Sequence, residues 1–360
     1  MNEHNHIKNR LLFTAILISL FFIGQGSSYA NSTKEKLNPG VLIINHISNS
    51  HEWHILTTPS GKHISIPLPI IVYSNYSGMH VFMSSKFEHG HTKYKNLELA
   101  TTGENKGKIV EYDEEGRLLN SKPYDFSLTK NVVGLLLALT LTFVVFYKAA
   151  NISTKRRGLA PKGLLSVIEP LVVFVRDDIA KPSIGSKTEK FLPFLLSIFF
   201  MVLVTNLSGL IPIVPFGANV TGNLSVTLGL ALFTFLTINI NANRNYWKHI
   251  YNTPGVPWFM KFPIPIMPLV EFLGVFIKPL VLAIRLFANI MAGHIIVLAF
   301  LCLIFIFSQL SIIAGAVASP FAITFVVFIS VLELLVAFIQ AFVFTLLSAI
   351  FVGMAVAEHH

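Results

Sequence analysis

Glu271, Lys278 and Arg285 recur every seven residues in a tract dominated by Val, Leu, Ile, Phe and Ala, and Asn289 follows Arg285 one turn later. A seven-residue step drifts only about 20° round an α-helix, so the three charges and the amide share one stripe. His294 lies nine residues beyond Arg285, roughly half a turn away from that stripe, and is the one His inside an apolar tract. A later apolar tract repeats the seven-residue spacing with Glu333 and Gln340. These types handle protons in different ways: imidazole and carboxylate take up and release them, whereas guanidinium stays charged. Together they point to proton movement through partly aqueous paths on either side of a fixed cation. Blander readings stay open. The charges could pair to lock a helix bundle, Lys278 could snorkel to a surface, Glu271 could lie near an interface, and His294 could be a hydrogen-bonded core residue.

The surroundings of these residues give them their weight. The chain has 360 residues, 53% hydrophobic and 12% charged, with mean hydropathy +0.65 and a formal charge of +9. A soluble domain carries about 25% charged residues, so ordinary soluble, disordered and disulfide-stapled classes are excluded. No Asp, Glu, Lys or Arg occurs from Phe191 to Asn243 or from Leu286 to Leu332. Each tract far exceeds the ~20 residues of one upright membrane helix, so each holds more than one span or a steeply tilted one. A central Arg or Lys costs about 2.5 to 3.5 kcal/mol on insertion scales, and something must offset it. Cys302, the single cysteine, lies in such a tract and reads as a small core residue.

The elements that position these residues follow from charge and periodicity. Residues 1–30 read as a cleavable signal peptide, with Lys8 and Arg10, an apolar run from Leu11 to Ile23, and small residues ending at Ala30; an uncleaved anchor is the alternative. Residues 31–125 carry 10 Lys/Arg against 10 Asp/Glu, with period-two patches at His63 to Ile66 and Met79 to Met83 and turn signals at Ser77-Gly78 and Glu115-Gly116. That pattern predicts a small, mainly extended extracytoplasmic domain. His46, His51, His54, His89 and His91 match no metal-ligand spacing, and no metal or cofactor is expected. Residues 126–360 form the membrane domain, with expected spans at about Leu128 to Tyr147, Phe191 to Ile213, Leu224 to Asn241, Ile264 to Phe307 and Pro320 to Ala357. Lys148 to Lys190 holds nine basic and four acidic residues, and Arg244, Lys248 and Lys261 mark a second basic loop. The positive-inside rule makes both cytoplasmic, leaving the mature N-terminus outside and the C-terminus inside.

Lys278-Pro279, then Arg285-Leu286-Phe287-Ala288-Asn289 and Ala292-Gly293-His294, resemble subunit a of the rotary F-type ATP synthases. Glu271 fourteen residues before the Arg, Glu333 seven before Gln340, and Thr205-Asn206-Leu207-Ser208-Gly209 strengthen the resemblance, which runs from about Phe126 onward. It implies an all-α polytopic protein of a bacterial inner membrane, with five membrane helices ending in a long, strongly tilted hairpin. It further implies a non-catalytic stator that passes protons to and from the carboxylates of a c-subunit ring. The implied partners are that ring, peripheral-stalk b subunits, the rest of the complex and membrane lipid, with no nucleic acid. By the same resemblance Arg285 matches the essential arginine, Asn289 and Gln340 flank its contact, His294 and Glu333 form an external relay, and Glu271 lies on the cytoplasmic exit side. Some members have an acid where His294 stands and a His where Glu333 stands, a swap that keeps one imidazole and one carboxylate. Gly209 replaces an acid found in some members, which leaves Asn206 as the polar candidate there.

Two other classes of function compete. A proton-coupled secondary transporter would show internal repeats with broken helices, and no second copy of the Arg285 to His294 pattern exists. An intramembrane metalloprotease would need two His on one helical face, and a phosphate loop would need its glycine-rich signature; neither is found.

Overall fold

The computed structural model describes residues 39–57, 63–90, 92–101, 103, 105–119, 123–156, 158–211, 217–251 and 266–357. The expected signal segment lies outside them. The described residues form two compact units, Asn49–Lys130 and, separately, Pro39–Ser48 with the following chain from Asn131. The short helix α1 (Pro39–Ile47) thus belongs with the helical unit.

The first unit is built of short antiparallel ladders. β1 (Glu52–Thr57) pairs with β2 (His63–Pro67), β3 (Pro69–Ser74) pairs with β4 (Gly78–Met83) and with β7 (Tyr124–Asp125), and β5 (Leu97–Leu99) pairs with β6 (Ile109–Glu111). Both period-two patches are strands. Gly78 (φ +81°) and Gly116 (φ +79°) take the left-handed conformation at the two expected turns, where a side chain would be strained. Alternation along β3 sends Ile70 and Val72 inward, where they meet Phe87, Leu97 and Ile109. Phe82 stands edge-on to Phe87 with ring centres 5.2 Å apart. The buried Glu111 carboxylate accepts hydrogen bonds from the Ser74 and Ser77 hydroxyls, which replace the water it loses.

The second unit is helical. α2 (Lys130–Lys155) is followed by α3 (Leu165–Phe174), a π-type turn over Val175–Ala180, the short α4 (Lys181–Ile184) and α5 (Thr188–Leu210). Then come α6 (Leu224–Asn241), the amphipathic α7 (Arg244–Tyr251), α8 (Ile266–Leu310) and α9 (Ile312–Val356). Among the described residues, five stretches are long and apolar enough to cross a membrane, as expected. Two boundaries differ from the sequence expectation. The basic stretch before Phe191 is not a plain loop, because Leu165, Ile168, Val175 and Ile179 make a buried stripe that packs with Leu195, Ile198 and Phe199 of α5. The last helix starts at Ile312 rather than near Pro320. Ser311 is extended and its hydroxyl accepts from the Ala314 N–H at 3.0 Å, which caps the helix eight residues earlier. Pro320 is absorbed inside α9.

The hairpin of α8 and α9 is close at its turn. A Cβ on Gly315 would lie 2.9 Å from Ser308 Cα, so only glycine allows that approach. Each helix has 45 residues, or about 68 Å at 1.5 Å per residue, more than twice the ~30 Å apolar thickness of a bilayer. Apolar helices of that length fit only when strongly inclined.

In the first unit, His51 Nε2 lies 2.8 Å from Asp125 Oδ2. Burial alone would push the Asp125 carboxyl up, but hydrogen bonds from His51 and Ser127 outweigh it and hold the group below its ordinary value. A carboxylate depressed in the folded state contributes stability that is complete above its unfolded pKa of about 3.9 and is lost as pH falls through the folded value. Asp125→Asn should therefore destabilise this unit by about 1 kcal/mol at pH 7 and flatten its acid-side decline. Thermal unfolding followed through the buried Trp53 at pH 7 and pH 3.5 checks this; equal loss of midpoint on acidification in both proteins would refute it.

Candidate functional site

Leu282, Leu286 and Ile290 form the buried stripe of α8 and tie it to the main helical core with Leu195, Phe199 and Phe344. Lys278, Arg285 and Asn289 therefore emerge on a different, exposed face, and Glu271 is half-buried. Around them Ile277, Val281 and Ile284 are also exposed. Among the described residues, no ion pair or hydrogen bond joins Arg285 to Glu271, Asn289 or Gln340. Lys278 instead turns its ammonium over the Phe351 ring of α9, 5.8 Å from the ring centre. Glu271 reaches towards α7, where burial raises the Tyr246 phenol and the Glu271 carboxylate raises it further. Gln340 is buried on α9.

His294 and Glu333 meet at the hairpin seam. His294 Nδ1 lies 3.9 Å from Glu333 Oε1, with side chains 20% and 14% exposed. The separation is too long for a direct hydrogen bond and short enough for electrostatic coupling. Three helices make the pocket. Gly293 of α8 leaves room for the acid, since a Cβ there would fall 2.2 Å from Glu333 Oε1. Gly209 of α5 lies on the other side of the imidazole, where a Cβ would sit 3.9 Å from His294 Nε2 in ordinary contact.

Asn206 is a brace beside this pair. Its amide nitrogen donates to the Ala337 carbonyl at 3.3 Å, one turn beyond Glu333, and its amide oxygen accepts from the Thr221 hydroxyl at 2.7 Å. Thr221 belongs to a segment that sequence reading passed over as a polar connection. In the same segment Asn219 accepts from the Gly222 N–H at 2.9 Å and directs its amide nitrogen to Met291 Sδ at 3.6 Å. The loop also presses on α2, where a Cβ on Gly134 would meet Ala218 Cβ at 2.6 Å. The two polar residues Asn219 and Thr221, on either side of Val220 between two apolar tracts, were the available signal.

The arrangement thus holds a fixed outward cation on one face of α8 and a half-buried titratable pair between α8 and α9. A sequence profile described as ATP synthase A chain matches residues 132–353, more than half of the chain and all the helices named here from α2 to α9. The chain belongs to the ATP synthase A chain family. ATP synthase subunit a 2 of Chlorobaculum tepidum is 48% identical over 242 residues, covering 65% of this chain and 65% of the relative. ATP synthase subunit a of Chloroherpeton thalassium is 44% identical over 242 residues, covering 65% and 68%. That of Anaeromyxobacter sp. is 42% identical over 265 residues, covering 70% and 60%. The chain therefore spans about two thirds of the length of the curated relatives it matches, less than that for the first and the last. Residues 42–126 match a separate profile, described as a domain of unknown function (DUF8433). Family and helices together make this a multi-pass membrane protein.

The two glycines at the pocket should differ sharply in tolerance. Gly293→Ala must displace the Glu333 carboxylate and lengthen its distance to His294, whereas Gly209→Ala should leave the pair unchanged. Difference infrared spectroscopy of the Glu333 carboxyl stretch reads this directly. An unshifted band in Gly293→Ala would show that the contact is not needed to place the acid.

Proposed function

We propose that this chain is the stator half of the proton turbine of an F-type ATP synthase, with two half-channels that deliver protons to and remove them from carboxylates of a c-subunit ring. The observation that carries the proposal is Arg285: a permanent cation on the exposed face of an apolar helix, with no acidic partner in its own chain among the described residues. In a low dielectric an isolated carboxylate keeps its proton, while a fixed cation nearby favours the charged form. A ring carboxylate passing Arg285 would release its proton and could not take it back until it had moved on. The same charge would repel a proton from crossing directly between the half-channels.

His294 and Glu333 would relay protons on the external side. Their half-buried position at the seam, away from the Arg285 face, supports separate stations for loading and for exchange. Glu271, half-buried near Tyr246 of the basic α7, would line the cytoplasmic exit. Asn289 would solvate the Arg285 contact from one turn away, and Gln340, buried on α9, would position it from behind. Asn206, with both amide ends bonded, would hold the external path open by bracing α5 against α9. Residues 31–125 would lie outside the cytoplasm after removal of residues 1–30, and the C-terminus inside. The chain would make and break no covalent bonds. Peripheral-stalk b subunits and the catalytic head would complete the assembly, with protons as the transported ion.

Arg285→Ala should insert and assemble normally yet abolish ATP synthesis driven by a proton gradient in membrane vesicles. Normal synthesis in that variant would end the proposal. His294→Ala combined with Glu333→Gln should slow proton uptake by about tenfold or more while leaving some coupled synthesis, as expected for loss of acid–base groups. Flux equal to that of the parent protein would reduce both residues to packing.

A further inference from the structure

The three-stranded sheet β4-β3-β7 of the first unit has one face on its core and one face outward. Alternation puts Tyr73 of β3, Met79, Val81 and Met83 of β4, Tyr124 of β7 and the following Phe126 on the outer face, all exposed. Pairing makes them one surface. Tyr73 stands opposite both Met79 and Tyr124, Ile71 stands opposite Val81, and the Phe126 N–H donates to the Ile71 carbonyl at 2.8 Å. The Tyr73 and Tyr124 rings lie 6.5 Å apart. None of the six exposed side chains carries a charge. Contiguous apolar faces of this kind on folded domains mark contact with a membrane or a partner.

Covalent continuity and side-chain chemistry identify the occupant. Phe126 stands four residues before Lys130, where the membrane-crossing α2 begins, and four residues reach at most about 14 Å. That tether keeps the Phe126 end of the sheet within about 14 Å of the start of α2, beside the interfacial zone of the bilayer, each polar layer of which is about 5 to 8 Å thick. Two Tyr, one Phe, two Met and one Val suit that zone, where aromatic rings with polar tips concentrate and no charge must be stripped of water.

We propose that the face formed by Tyr73, Met79, Val81, Met83, Tyr124 and Phe126 rests on the lipid surface at the N-terminal end of α2. The sheet then acts as an interfacial float that keeps the chain just before α2 at the bilayer surface. The proposal depends on α2 crossing the membrane and is independent of the proton path.

The test uses the full chain in nanodiscs drawn from its native membrane, with whatever assembly it carries. In a Cys302→Ala background, nitroxides are placed by Val81→Cys, Tyr124→Cys and, as the control on an exposed Lys of the same unit, Lys108→Cys. Power saturation compares collisions with oxygen, which partitions into lipid, and with a water-soluble nickel chelate. The oxygen-to-nickel ratio at Val81 and Tyr124 should exceed that at Lys108 several-fold. A ratio equal to the Lys108 value would place the face in water, and a nitroxide immobilised and shielded from both colliders would place a protein on it. Either result overturns the proposal.

Discussion

A guanidinium that cannot be neutralised, carried on the exposed face of a 45-residue apolar helix, governs the rest of the structure. Its insertion costs free energy that no acidic partner among the described residues of its own chain returns. The helix must therefore be held by its other face, and Leu282, Leu286 and Ile290 do this against α5 and α9. Length serves the same end. A helix of about 68 Å can lie across the membrane and offer a long flank, with Lys278, Arg285 and Asn289 spaced along it, instead of passing straight through. The aromatic packing behind that flank is correspondingly dense, with Phe174, Phe199 and Phe338 in mutual ring contact.

The second polar station, His294 with Glu333, depends on small residues. Gly293 opens the space that the acid occupies between the packed helices, whereas a Cβ on Gly209 would lie in ordinary contact with the imidazole. Packing of this tightness has a price in loop freedom, visible where Gly134 admits the Ala218 segment and Gly315 admits Ser308. Asn206 then ties α5, α9 and that segment together through both ends of one amide. Buried polar groups of this kind stabilise when they are hydrogen-bonded, and both the nitrogen and the oxygen of the Asn206 amide have a partner.

Much of this was legible in the chain itself, because charge is so scarce that each ionisable residue in an apolar tract stands out. Seven-residue spacing put Glu271, Lys278 and Arg285 on one stripe with Asn289 one turn on, and the structure exposes the last three together while Glu271 is half-buried. Strands over His63 to Ile66 and Met79 to Met83 followed from alternation, although the alternating apolar residues Ile64, Ile66, Met79, Val81 and Met83 are exposed rather than buried. The α3 stripe was hidden by Arg176, Asp177 and Lys181, whose ion pairs lie on the opposite face of the same helical stretch and dominate its composition. The start of α9 was misplaced because Pro320 reads as a boundary, whereas Ser311 had already capped the helix. Gly293, Thr221 and Asn219 act only through contacts with residues far away in the chain, which spacing cannot reveal. The burial of Gln340 has the same origin.

A single distance bears most directly on the assignment of Arg285. In an electron cryo-microscopy structure of the assembly extracted with its native lipid, the Arg285 face should pack against a ring of small helical subunits. One ring carboxylate should stand within about 4 to 6 Å of the guanidinium. A map in which that face meets lipid, or a helix without an acid at the level of Arg285, would contradict the account.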